Sequence, residues 1–212
     1  MSYWKVINGV MPKISRLSKV ALFSLVALAL AAPGYGAKDK MKLLQEANEL
    51  FKQGEAEYDK EDFEAAIEKF EKCLAKDPEK ADAQFNIGIC YTDLGEPEKA
   101  LESYRKTLAI DPHYHHAYFN MGRVYHLRKD FVQAIVYYEK ALAEDPYSPD
   151  LMYNYAHALM ESGRVEDSVE AWDRYLTIAE QLPEEAKWVE RAREYLATLE
   201  SVSGGTKEDE KE

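Results

Sequence analysis

The sequence predicts an all-α chain of stacked helix–turn–helix units, and three regularities carry that prediction. First, an Asp-Pro pair recurs every 34 residues, beginning at Asp77, Asp111 and Asp145. The residue before a proline is disfavoured in the α conformation, so each pair ends a helix. Second, small residues keep the same interval in two columns, which lets paired helices approach closely: Gly54, Gly88, Gly122 and Ala66, Ala100, Ala134. Third, larger side chains follow them at the same interval: Phe70, Tyr104, Tyr138 and Leu74, Leu108, Leu142.

This period, with its Gly, Ala-x3-aromatic and Pro pattern, resembles the tetratricopeptide repeat. The resemblance covers residues 47–182 as four units, numbered 1 to 4 here: 47–80, 81–114, 115–148 and a divergent 149–182. It implies a right-handed α-solenoid, because each unit exposes an apolar face that only a neighbouring unit can cover. Unit 4 has Ser168 in the alanine column, Trp172 in the aromatic column and no Asp-Pro, as is typical of a terminal unit.

Both ends of the repeat region have their own predictions. Residues 38–46 extend the first helix toward the N-terminus. After Pro183, one helical face carries an apolar stripe, which predicts a capping helix over 183–200: Trp188, Ala192, Tyr195 and Leu199. The alternative is that this stripe binds a partner. The polar, acidic segment 201–212 is expected to be disordered.

Residues 1–37 are interpreted as a secretory signal. They contain four basic residues and no acid, followed by the uncharged run Val20–Ala32 and then Pro33. The run is shorter than the roughly 20 apolar residues of a membrane-spanning helix. Met11 offers a second start for a more compact signal. We therefore expect an exported, periplasmic protein whose mature chain does not insert into the membrane. The alternative is an uncleaved signal that anchors the chain to the inner membrane.

The charge of the chain limits the classes of partner that it can bind. The 212 residues contain 39 acidic and 27 basic ones, a net charge of −12. Removing the segment 1–37 leaves 23 basic residues and a net charge of −16. This balance argues against nucleic acid, because phosphate binding needs clustered Lys and Arg. A protein or peptide partner remains.

The sequence shows no catalytic motif, so a non-enzymatic role without a cofactor is expected. Phosphate-cradling loops, zinc-hydrolase motifs and nucleophile elbows are all missing. The five histidines are the candidate ligands for a metal site: His113, His115, His116, His126 and His157. No carboxylate or Cys stands beside them at a ligand-like spacing, so we expect no metal.

The resemblance implies that the first helix of each unit lines a concave groove, which takes an extended peptide or a partner helix. Three columns reach that surface: Asn86, Asn120, Asn154; Phe51, Phe85, Phe119, Tyr153; and Glu55, Ile89, Arg123, His157. The amides could pair with a peptide backbone, and the aromatic rings would supply apolar contact. Arg123, His126 and His157 would make units 3 and 4 less acidic than the rest.

A related subfamily grips the C-terminal carboxylate of chaperones with a clamp of Lys, Arg and Asn. This chain offers Asn86 but has Phe51, Glu55, His116 and Asn120 at the other matching places. The basic residues of the clamp are missing, so that ligand is not expected.

The function predicted is a non-catalytic interaction scaffold in envelope assembly. A structural protein that stacks through its terminal helices is the alternative, and a metal-binding accessory subunit is a third interpretation. Oligomeric state is left open. So is the state of the two cysteines, Cys73 and Cys90, which either form a disulfide or fill gaps in the core.

Overall fold

The computed structural model describes residues 36–208, and within that range it contains nine α-helices, one short 3-10 turn and no strand. The helices are α1 Ala37–Tyr58, α2 Phe63–Lys76, α3 Ala81–Asp93, α4 Pro97–Ile110, α5 His115–Leu127, α6 Phe131–Glu144, α7 Pro149–Glu161, α8 Val165–Ala179 and α9 Ala186–Glu208. The signal-sequence interpretation concerns residues that lie almost entirely outside the described range. None of the described helices is long and apolar enough to cross a bilayer.

The helices pack in consecutive pairs, α1 with α2, α3 with α4, α5 with α6 and α7 with α8. The second helix of each pair then packs against the first helix of the next, and α9 packs against α8. The all-α solenoid predicted from the 34-residue period is confirmed.

The Asp-Pro pairs end helices as expected. Asp77, Asp111 and Asp145 follow the last residues of α2, α4 and α6, with φ between −128° and −133° and ψ between 84° and 100°. These extended conformations are the ones that a following proline favours. Asp62 and Asp130 are the N-cap residues of α2 and α6, and each carboxylate accepts a hydrogen bond from a first-turn amide.

The two ends of the solenoid are long helices. The first, α1, has 22 residues against 13 in α3, and its additional turns lie at the N-terminal side. At the other end Val189, Ala192 and Leu199 of α9 are buried. The backbone of α9 stays helical to Glu208, whereas disorder was expected from residue 201.

An aromatic ring of the second helix lies directly on the glycine of the first helix in units 1 to 3. A β-carbon built on Gly54, Gly88 or Gly122 would come within 2.6, 2.4 or 2.5 Å of the rings of Phe70, Tyr104 and Tyr138. Real β-carbons do not approach ring atoms this closely, so only glycine fits. The glycine column therefore makes room for the aromatic column.

In unit 4 the two helices meet through different residues at the position of the glycine column. Ala156 stands in the glycine column, and Ser168 donates a hydrogen bond from its Oγ to the Ala156 carbonyl at 3.2 Å. Trp172 is fully buried, but among the described residues its indole N–H has no hydrogen-bond partner. The divergence seen in the sequence is thus a change in how the two helices meet.

We expect Gly88→Ala to lower the free energy of unfolding by about 1–3 kcal/mol, because the added methyl overpacks the Tyr104 ring. This loss should outweigh the roughly 1 kcal/mol that alanine gains in helix propensity. Chemical denaturation followed by circular dichroism measures the change. Ala156→Gly is the matched control, and it should cost only about 0.5–1 kcal/mol. A Gly88→Ala protein as stable as the wild type would contradict the contact.

Candidate functional site

A cleft of about 400 Å³ opens between the first helices of units 1 and 2. Its walls come from α1 and α3, with Phe70 of α2 at its base: Glu55, Tyr58, Asp59, Phe70, Asn86 and Ile89. At its rim the Tyr58 hydroxyl donates a 2.7 Å hydrogen bond to Asp93. The cleft is therefore the acidic end of the surface formed by the first helices.

The three asparagines are half-buried and are not enclosed between helices. Asn120 donates from Nδ2 to the carbonyl of His116 at 2.9 Å, and Asn154 donates to the carbonyl of Asp150 at 2.7 Å. In both residues one amide N–H is thus held by the residue's own helix. The Asn120 oxygen accepts a long, 3.4 Å hydrogen bond from Arg123. Within the described range Asn86 makes no side-chain hydrogen bond, and its side chain lines the cleft.

The aromatic column belongs largely to the solenoid's own packing. Each ring packs against the aromatic side chain of the second helix in the same unit, with centroids 5.1 to 5.9 Å apart: Phe51 on Phe70, Phe85 on Tyr104, Phe119 on Tyr138 and Tyr153 on Trp172. Phe85 is only 9% exposed. It is therefore not the exposed anchor that was expected, because the Tyr104, Tyr114 and His116 rings surround it. Phe51, Phe119 and Tyr153 stay half-buried.

The opposite end of the surface carries cations. Arg123 is exposed, and its guanidinium lies 5.9 Å from the centre of the Phe119 ring. Arg191 of α9 is also exposed and donates from Nε to the Tyr195 hydroxyl at 2.8 Å. The Tyr195 ring in turn contacts His157 at a centroid distance of 5.7 Å. The first-helix surface thus has an acidic cleft at units 1 and 2, whereas the cations Arg123 and Arg191 lie toward unit 4.

Arg191 and Tyr195 were missed as groove residues. The sequence places Tyr195 on the apolar stripe of α9, which predicts burial but not the neighbour across the surface. Only the packing of α9 beside α7 brings the pair to His157.

Two histidines meet between units 3 and 4. His157 Nδ1 and His126 Nε2 are 3.4 Å apart, and the two rings stack with centroids separated by 5.3 Å. Burial lowers the pKa of both imidazoles. When His157 is protonated, its positive charge lowers the pKa of His126 further. Arg191 lowers the pKa of His157 in the same way. The Glu161 carboxylate acts in the opposite direction and raises the pKa of both histidines. The neutral pair can share one N–H···N hydrogen bond.

Nothing in the described part of the chain gathers the histidines into a metal centre. No three His, Cys, Asp or Glu side chains there are placed to hold one ion. His113 instead lies 3.0 Å from Glu144, and the His115 and His116 rings contact each other.

Cys73 and Cys90 are buried free thiols in one core cluster of units 1 and 2. The structure therefore has the core-filling arrangement and not the disulfide. Burial raises the pKa of the Cys73 thiol to about 11 and that of Cys90 to about 12. Both side chains act as small apolar residues.

Family models described as tetratricopeptide repeat match residues 51–115, 93–149 and 125–188, which together span more than half of the chain. The chain belongs to the tetratricopeptide-repeat family. Proteins with this repeat bind protein or peptide partners. A comparison with curated protein sequences finds no significant match.

Solved structures of the tetratricopeptide-repeat fold resemble this one. A crystal structure of MamA is 22% identical, covers 73% of this chain and 96% of its own, and has a TM-score of 0.57. MamA from Desulfovibrio magneticus RS-1 is 15% identical over 76% and 96% of the two chains, with a TM-score of 0.60. The first repeat domain of Spaghetti, bound to an HSP90 peptide, is 19% identical over 56% and 94%, with a TM-score of 0.53. At these identities the likeness shows the fold alone.

We expect the histidine pair to make stability depend on pH. Each folded-state pKa lies below the unfolded value of about 6.5, so the contribution is complete above that value and is lost as pH falls through the folded pKa. Thermal melts between pH 7.5 and about 5 should therefore show a larger fall in Tm for the wild type than for His157→Gln. Asn154→Gln, one turn earlier on the same helix, is the matched control: it removes no titratable group, so it should keep the wild-type slope in this range. Parallel slopes for wild type and His157→Gln would contradict the prediction.

Proposed function

We propose that this protein is a non-catalytic scaffold that binds an extended peptide or a partner helix along the surface of its first helices. The observation that carries the proposal is the charge polarity of that surface. Glu55, Asp59 and Asp93 lie at one end, and Arg123 and Arg191 lie at the other. A ligand with separated basic and acidic ends would match both halves at once.

The asparagines supply the backbone contacts in this proposal. Asn120 and Asn154 each commit one amide N–H to a carbonyl of their own helix, which leaves the second N–H and the amide oxygen for a ligand, although the Asn120 oxygen also accepts from Arg123. A peptide N–H is the matching donor, so the contact would not depend on the ligand's side chains. Asn86, which lines the cleft, has both its donor and its acceptor available within the described structure.

The chaperone-tail clamp does not fit this surface. In the Spaghetti structure the peptide belongs to HSP90. Here Glu55 and Asp59 border the cleft of units 1 and 2, where a terminal carboxylate would be repelled. The acidic end of a ligand would instead lie near Arg123 and Arg191.

We expect the ligand's charge order to decide its affinity. Fluorescence anisotropy would compare two labelled peptides of equal composition, one with Lys and Glu in separate halves and one with the two alternating. The separated peptide should bind more tightly, and Arg123→Glu should weaken it. Arg174→Glu is the matched control, because it makes the same charge change on the second helix α8. Equal binding of both peptides to all three proteins would contradict the proposal.

Replacing an asparagine tests the backbone contacts separately. The triple variant Asn86→Ala, Asn120→Ala, Asn154→Ala should lose about 0.5–1.5 kcal/mol of binding free energy per amide that contacts the peptide. Thermal melts of the same variant should remain close to the wild type, since the side chains are partly exposed. Unchanged affinity in the triple variant would remove the asparagines from the mechanism.

The alternative of end-to-end stacking finds no support at the C-terminal end. Over residues 186–199, whose side chains the structure describes, the exposed side chains of α9 are mostly charged: Lys187, Glu190, Arg191, Arg193 and Glu194. In the same range Trp188 is the large apolar exception, at 42% exposure. A polar outer face is what a terminal repeat needs to stay soluble and unpolymerised.

The proposed setting is the cell envelope after export. It rests on the basic start and short apolar run of residues 1–37. Cell fractionation with N-terminal sequencing should find a periplasmic chain that begins between Ala32 and Lys38. An intact N-terminus in the membrane fraction would indicate the anchored form, and an intact chain in the cytosol would contradict export.

A further inference from the structure

The cleft between units 1 and 2 has a lining that the same positions do not repeat at the next junction. Glu55 of α1 and Ile89 of α3 both line it. The 34-residue period carries these two positions to Ile89 and Arg123 between units 2 and 3. The second junction therefore has a cation where the first has an apolar side chain. The acidic cleft is a feature of this junction and not a general consequence of the repeat.

Two helices end at the rim of the cleft. Tyr58 is the last residue of α1 and Asp93 is the last residue of α3, and the 2.7 Å hydrogen bond between them joins the two C-terminal ends. A helix C-terminus carries a partial negative charge that favours cations. Neither helix has a basic residue in its last turn. The rim therefore combines the negative ends of two helices with carboxylates.

The two acids on the α1 wall have no partner. Glu55 and Asp59 are four residues apart, so they lie one turn apart on the same face. Both are exposed, and neither carboxylate makes a hydrogen bond or an ion pair with the described residues. On α2 the same spacing joins an acid to a base, Glu68 to Lys72. Like charges at this spacing repel each other, and a bound cation would remove that repulsion.

The nearest cations of the chain leave these acids free. Lys60, which follows Asp59, pairs with Glu57. Lys52, one turn before the cleft, is exposed and makes no ion pair within the described range. Arg123 lies one unit further along, where it donates to Asn120. The negative charge of the cleft is thus available to a ligand.

The walls suit the stem of a long basic side chain. Tyr58 and Ile89 are half-buried and apolar in their ring and branched chain, and Phe70 forms the base. Lysine and arginine bury their methylene stems along such surfaces while the charged head stays in water or on a carboxylate. The volume of about 400 Å³ lies within the roughly 300–1,000 Å³ of ligand pockets. A metal ion does not fit, because no three ligand side chains in the described part of the chain converge on one point.

We propose that this cleft holds one basic side chain, an arginine or a lysine, of the peptide that the first-helix surface binds. The inference rests on the proposed function and adds the residue by which the peptide is anchored. Glu55 and Asp59 accept the hydrogen bonds of the cation, and Asn86 beside them contacts the peptide backbone. Arginine fits better than lysine, because its planar guanidinium can donate to carboxylates on both helices, including Asp93.

Short capped peptides test the pocket without a complete ligand. The full-length protein, labelled with nitrogen-15, would be titrated with acetyl-Gly-Arg-Gly-amide, its lysine counterpart and its citrulline counterpart, which keeps the shape of arginine without the charge. Exposed carboxylates are screened by solvent, so one side chain should bind weakly, and NMR detects weak binding. Both basic peptides should shift the resonances of Glu55, Asn86 and Ile89 in a saturable way, the arginine peptide at lower concentration. The citrulline peptide should not.

A charge-neutral cleft supplies the second measurement. Glu55→Gln, Asp59→Asn changes little in shape and should raise the dissociation constant of the arginine peptide at least about tenfold, equivalent to 1.4 kcal/mol. Its melting temperature should not fall below that of the wild type, because the change relieves a repulsion. Glu166→Gln, Glu170→Gln is the matched control, since these acids are also exposed, unpaired within the described range and four apart, but on α8. It should bind like the wild type.

Three results would overturn the pocket: no saturable shift with either basic peptide, equal shifts with the citrulline peptide, or unchanged affinity in the neutral cleft. The longer peptide with separated charges distinguishes this failure from that of the scaffold. If it binds the wild type and the neutral cleft equally, the scaffold stands and the pocket is wrong. If the arginine peptide binds the cleft but the longer peptides show no preference for charge order, the pocket stands as an isolated site and the groove proposal fails.

Discussion

The contact between a glycine of one helix and an aromatic ring of the next underlies the rest of this structure. The rings of Phe70, Tyr104 and Tyr138 occupy the space that a β-carbon would need on the first helix. The close approach of the two helices brings the second-helix ring under the first-helix aromatic of the same unit. The first helices are therefore held at a regular interval, and the functional surface inherits that interval.

This contact also explains why the aromatic column of the first helices serves the packing of the solenoid as well as its surface. An aromatic residue one position before each asparagine must cover the ring that rests on the glycine. Phe85 is the clearest case, because its neighbours bury it almost completely. The asparagines that follow are half-buried and so remain partly accessible. The solenoid thus takes most of the aromatic surface and leaves the amides and charges for recognition.

Specific features arise where units depart from the repeat. Acids line the cleft of units 1 and 2, whereas Arg123 and Arg191 lie at the other end of the same surface. In unit 3, Leu127, Val132 and Val136 stand where the other units carry acids. A repeat scaffold spaces its positions uniformly, so such departures give each unit a distinct chemistry.

The sequence by itself determined the repeat, its phase and its helix ends. Asp-Pro pairs act on the local backbone, and small residues at a fixed interval act between neighbouring helices, so both effects are visible along the chain. The sequence also determined which residues of the first helices share a column. These local rules gave the all-α solenoid and the position of the asparagines.

Only the tertiary structure decided which side chains are available and which meet. The burial of Phe85, the contact of His126 with His157 and the place of Tyr195 beside them depend on helices far apart in the sequence. The free, buried state of Cys73 and Cys90 depends on packing of the same kind. The physical reason is that a periodic sequence fixes the face on which a residue lies, whereas the shapes of all its neighbours fix the space left around it.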